Sequence, residues 1–177
     1  MINIQTLAID NPLQTVKTKV IAFTLLTIIT AYMPTVIHYQ LITGPLINMA
    51  LILAVFLVGP FEAVFLGLMP SVLALISGLL PLPLAPIVPF IMISNAIMVG
   101  IYYYLGKKHF GISIVVASFA KFLFLYSIAQ LLINFLLAGD KFISIAAKMF
   151  GLAQFVTAVI GGLMAYAVLF FIAKSRL

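Results

Sequence analysis

The side chains able to do chemistry in this chain are few, and most of them are amides. Its two histidines, His38 and His109, and its three acids, Asp10, Glu62 and Asp140, stand far apart, and cysteine is absent. There is no carboxylate pair for general acid–base work, no H-E-x-x-H, no G-x-S-x-G elbow and no glycine-rich phosphate loop. Without cysteine there is no thiolate nucleophile, disulfide framework or Cys-based metal site. What remains is Asn48, Ser94, Asn95, Ser127, Gln130, Asn134, Gln154 and the lysines Lys121 and Lys148. That inventory suits holding a polar solute by hydrogen bonds and a positive charge. No catalytic residue, metal ligand or cofactor is expected.

The elements that carry these residues must lie in lipid. Of 177 residues 66% are hydrophobic and 7% charged, whereas a soluble domain has about a quarter charged. One membrane domain over 1–177 follows, with a polar segment 1–16 that lacks the features of a cleavable signal peptide. Continuous apolar runs exclude the alternation of a membrane barrel. Glycine and proline divide 17–174 into six spans, about 17–38, 45–59, 61–80, 87–105, 110–137 and 142–174. The fold class is therefore all-α, a polytopic six-helix bundle. The run from Pro81 to Pro86 reads as a proline-rich loop that cannot be helical throughout. The last span is long for one crossing, so tilt, an interfacial first turn or a bend at Gly161-Gly162 is expected.

The net charge of +6 does not form a basic patch with interleaved aromatics, which disfavours nucleic acid. It orients the chain instead. With the N-terminus inside, Lys17, Lys19, Lys107, Lys108, Lys174 and Arg176 are cytoplasmic, and the outer loops keep Lys141 beside Asp140. Both termini are then cytoplasmic.

Depth, at 1.5 Å per residue, gathers the polar groups into one layer. Asn48 lies a turn below the outer end of the second span, and Ser94 and Asn95 roughly 11–12 Å below the outer start of the fourth. Ser127, Gln130 and Asn134 share a face in the outer half of the fifth. Lys148 lies about 8 Å and Gln154 about 16 Å into the sixth. His38, Tyr39 and Gln40 form a rim above. Taken singly, each amide is an ordinary interhelical hydrogen bond; taken together, they suggest a polar cavity open to the outside.

The two buried lysines have different readings. Lys148 either meets a carboxylate or phosphate of an anionic solute or snorkels to the interface. Lys121 lies near mid-membrane, opposite Gln130 on the helical wheel, and is expected to pair with Glu62 or snorkel inward. On the sixth span Ser144, Ala147, Gly151, Gln154, Ala158, Gly161, Gly162 and Ala165 make a small-residue stripe suited to close packing. Thr24, Thr27 and Ala31 make a shorter strip on the first.

In order and spacing the chain resembles a substrate-binding S component of the energy-coupling factor (ECF) vitamin and micronutrient transporters. The resemblance rests on Ile42-Thr-Gly-Pro-Leu-Ile-Asn48, on Leu57-Val-Gly-Pro60, on the proline-rich loop leading to Pro89-Phe-Ile-Met-Ile-Ser-Asn95-Ala, and on a lysine in Ala120-Lys121-Phe122-Leu123. It implies capture of a small solute outside a prokaryotic cell membrane, and delivery with a membrane coupling subunit and two ATPases. The lid would be Tyr39–Gly44 and Pro81–Pro89, with Pro83 and Pro86 at its rim, and Asn48 and Asn95 would touch solute. Many members carry A-x-x-x-A on the first helix to meet the coupling subunit; here that place holds Thr24, Thr27 and Ala31. The rival readings are a self-sufficient channel or carrier, and a structural or assembly partner without a solute.

Overall fold

A computed structural model describes residues 16–136 and 140–174, with the side chains of 133–142 outside that description. The polar segment 1–15, Arg176 and the side chains of Asn134, Asp140 and Lys141 thus lie outside the described residues. The chain is all-α, and the described residues contain no strand. The helices are α1 (Val16–Val36), α2 (Gln40–Leu57), α3 (Pro60–Ile76), α4 (Val88–Leu105), α5 (Phe110–Leu136), α6 (Asp140–Phe150) and α7 (Leu152–Lys174), with a 3-10 segment Leu82–Ile87 before α4. Five helical stretches are long and apolar enough to cross a bilayer, and α3 is a shorter apolar helix of 17 residues. At about 1.5 Å per residue α3 reaches ~25 Å, slightly less than the ~30 Å hydrocarbon core. This is a polytopic membrane protein.

Short links make successive helices antiparallel from α1 to α5, and α6 and α7 together form the returning span. Lys17, Lys19, Glu62, Lys107, Lys108 and Lys174 consequently gather at one end of the bundle. The opposite end holds the start of α2, the 3-10 segment and α6. At that end Gly78 takes φ 81°, a left-handed turn that glycine adopts without Cβ strain. It releases the chain from α3 so that the Leu80 N–H bonds the Ala74 carbonyl at 2.8 Å.

Helix α2 is the axle: every residue from Ala50 to Phe56 is buried, between α1, α3, α4 and α7. Its closest partner is α7, where Ala158, Gly161, Gly162 and Ala165 are buried. A Cβ on Gly161 would sit 2.6 Å from Asn48 Cβ and 2.8 Å from the Pro45 carbonyl oxygen, so the two backbones touch because glycine is there. Lipid tails are as apolar as leucine, so such contact, rather than expulsion of water, holds membrane helices together.

Two expectations change. Of the tilt, interfacial first turn or bend at Gly161-Gly162 expected in the long sixth span, the bend changes place: the break is at Gly151, between α6 and α7. The small-residue stripe of that span is therefore interrupted: Ser144 and Ala147 on α6 are exposed, and Ala146 and Phe150 face inward instead. The proline-rich loop is itself a 3-10 turn, with the Leu84 N–H bonding the Pro81 carbonyl at 2.8 Å. Proline fixes φ at a value that tight helical turns also use, which makes the short turn available despite the missing donors.

Candidate functional site

Four helices converge on the amine of Lys121. Along α5 the buried side is Ile114, Ala117, Ser118, Lys121, Leu125 and Ala129, a helical stripe in which small residues admit neighbours and one long side chain crosses the gap. Lys121 is only 4% exposed. Its Nζ donates to Asn48 Oδ1 of α2 at 2.6 Å and to Asn95 Oδ1 of α4 at 2.7 Å. The Asn95 amide is turned by its other end, because Nδ2 donates to the Gly67 carbonyl of α3 at 2.8 Å. Gly67 allows that approach: a Cβ there would lie 3.1 Å from Asn95 Cβ. Pro70, one turn on, is buried within α3 and offers no N–H to the ladder.

This node forms the floor of a cavity whose walls include Thr43, Ile47, Ser71, Leu80, Ile91, Phe150 and Thr157. The cavity volume is about 90 Å³, below the ~300–1,000 Å³ of drug-sized ligand pockets and room for a small solute only. The walls are mainly apolar, and the hydroxyls of Thr43, Ser71 and Thr157 on them are bonded to carbonyls of their own helices.

The mouth is organised by the break at Gly151. Ending α6 frees carbonyls that a continuous helix would have satisfied. Met149's carbonyl accepts from Gln40 Nε2 of α2 at 2.7 Å and from Gln154 Nε2 of α7 at 3.1 Å. Both glutamines line the cavity. With each nitrogen committed to Met149, each Oε1 is left as an acceptor. The rim is tied across as well: His38 Nε2 lies 2.8 Å from the Ser77 carbonyl, and Ser77 Oγ donates to the Pro34 carbonyl at 2.8 Å. Tyr39 is exposed above them.

The structure thus brings Asn48, Asn95, Gln154 and Gln40 together around one space and leaves other expected site residues outside it. Ser94 is buried, but its hydroxyl is spent on the Ile91 carbonyl of its own helix at 2.7 Å, a local bond that serine makes readily. Gln130 is half-buried on another face of α5, and Ser127 beside it is exposed. Lys148 is exposed on the outer side of α6, where its charge is solvated at the membrane boundary at little cost. Asn134's side chain is outside the described residues. Pro83 and Pro86 border a second, small apolar crevice with Ala129, Leu132 and Ala146. Thr24 is exposed on α1, and Thr27 and Ala31 are half-buried beside it.

Lys121 is the main correction. It does not pair with Glu62, which is exposed in the first turn of α3 at the far end; it belongs to the cavity. Burying an ammonium costs several kcal/mol unless it is hydrogen-bonded and compensated. Two amide oxygens provide the bonds, and no carboxylate among the described residues provides the compensation. The sequence signal was available: Lys121 shares its helical stripe with Ala117, Ser118 and Ala129, the small residues of a packed face, while Gln130 opposes it.

Comparison with family models, with curated proteins and with solved structures yields no match.

Proposed function

We propose that this chain is a solute-binding S component of an ECF-type importer, capturing a small vitamin- or micronutrient-like solute outside a prokaryotic cell membrane. The observation that carries the reading is a polar-floored cavity at the end of the bundle opposite Lys17, Lys19, Lys107, Lys108 and Lys174. Cytoplasmic loops collect Lys and Arg, so that end faces outward and both termini face the cytoplasm. A purely structural partner would leave no space within such a layer; here the same residues bind one another across the helices and still border a cavity. In this reading the rim over Gln40, Ser77 and the 3-10 segment is the lid, and delivery requires a coupling subunit and two ATPases on other chains. The exposed side of α1 around Thr24, Thr27 and Ala31 is the surface offered to the coupling subunit.

Uptake from a panel of radiolabelled vitamins and precursors tests this in proteoliposomes. Uptake is expected only when the coupling subunit and ATPases are co-reconstituted, and only with internal ATP. Downhill flux by the chain alone would replace the importer with a self-sufficient carrier. No uptake and no binding under either condition would return it to a structural role.

A further inference from the structure

We propose that the cavity selects a small monocarboxylate: a carboxylate held at the floor by Lys121, an apolar body along the walls, and an N–H or O–H group at the mouth. This deepens the reading of the cavity as a solute site, but it does not depend on the importer.

The floor carries the argument. An ammonium has three donors and no acceptor. Two are taken by Asn48 Oδ1 and Asn95 Oδ1; the third has no acceptor among the described residues, and Lys121 forms part of the cavity wall. Asn48, itself 2% exposed, accepts from Lys121 through oxygen, so its Nδ2 remains to donate. Asn48 is also one of the residues that line the cavity. One charged and one neutral donor side by side match the two oxygens of a carboxylate, and charge-assisted bonds of this kind are the strong ones. The charge also balances. Glu62, the one carboxylate whose side chain is described, is exposed at the opposite end, so a single anion from outside neutralises the site. A dianion such as a phosphate ester would overcompensate it, with too few donors for three oxygens.

The rest of the cavity describes the rest of the ligand. Gln40 and Asn48 are eight residues apart on α2, about 12 Å along the helix. A bare halide would leave that length empty. Ile47, Leu80, Ile91 and Phe150 line it with hydrocarbon, and Gln40 Oε1 and Gln154 Oε1 wait at the top as acceptors. The complementary solute is amphipathic, anionic at one end and donating at the other.

Matched pairs of probes test the charge without knowledge of the natural solute. The purified full chain in detergent is melted with benzoate against benzamide and with butanoate against butanamide, at constant ionic strength. The carboxylates are expected to raise Tm and to bind at least tenfold more tightly than their amides. Asn48→Asp supplies an internal counter-ion of nearly the same shape and should melt at or above the native chain while losing the carboxylate increment. Lys121→Gln should lose it as well. Amides that stabilise as much as carboxylates overturn the proposal, as does the absence of any carboxylate increment in the native chain. An increment that survives in both variants does the same. The outcomes separate from those of the importer: carboxylate binding without ATP-driven uptake removes the importer alone, and ATP-driven uptake of a solute held equally well as acid and amide removes this inference alone.

Discussion

The two ends of this bundle are built on the same helix faces and come to opposite results. Toward the lysine-rich end, Phe110 packs against Phe56, Tyr102 and Tyr166 with ring centroids 5.5, 5.6 and 5.5 Å apart. Toward the other end, α2, α4 and α5 surround a cavity. Each of these helices changes character along one stripe: Asn48 gives way to Phe56 on α2, Asn95 to Tyr102 on α4, and Lys121 to Phe110 on α5. At 3.6 residues per turn the spacings of seven and eleven residues return to within about 20° of the same face, and that of eight to within about 80°. At one end rings fill the space between helices; at the other, amides and an amine bind each other across it and line a cavity. The difference lies in side-chain volume and hydrogen bonding, with no change of helix arrangement needed.

The comparison is broken most severely by Gly161→Val. A Cβ alone would meet Asn48 and Pro45 within 2.8 Å, so α7 must leave α2. Overpacking of this kind costs about 3 kcal/mol, and thermal melting should fall together with solute binding, because both ends depend on that contact. Phe110→Ala separates the ends. It removes the ring shared by the inner cluster, at about 2 kcal/mol, less than in a soluble core because lipid replaces water in the reference state. Solute affinity should stay within twofold; a parallel loss would show the two ends to be coupled. The smallest effect has the opposite sign. The Tyr102 hydroxyl is buried without a hydrogen-bond partner, and an unsatisfied polar group of this sort is a cost. Tyr102→Phe should therefore raise stability by about 1 kcal/mol, read as a higher Tm with unchanged binding.

The all-α membrane class was legible because it depends on composition and run length, which no packing detail can overturn. Much of the cavity was legible too: Asn48, Asn95 and Gln154 all fall toward the outer side by counting residues. Counting gives height but not azimuth, and there the reading diverged. Gln130 and Lys148 stand in the same layer as Asn48 yet face elsewhere; near the ends of spans a polar side chain reaches interfacial water and needs no internal partner. Lys121 went the other way, since its partners are amides on two other helices, and only the assembled bundle brings Asn48 and Asn95 within 2.7 Å of one amine. The break at Gly151 was also hidden. A glycine in an apolar run reads as a packing site, and the two glutamines that satisfy the freed Met149 carbonyl come from α2 and α7.

That carbonyl also bears on how the protein is made. The bond from Gln40 to Met149 spans 109 residues of chain, so its halves leave the ribosome at different times. At about 5–20 residues per second, α2 is synthesised roughly 5–20 s before the α6–α7 break exists. Through that interval Gln40 is in the membrane without the partner that later satisfies it, as is Asn48 until Lys121 is made, and both must rely on water at the interface or on another protein. The cavity is thus completed late, after α7 has begun, and a chain stopped short of α7 would hold most of its helices but an unfinished site.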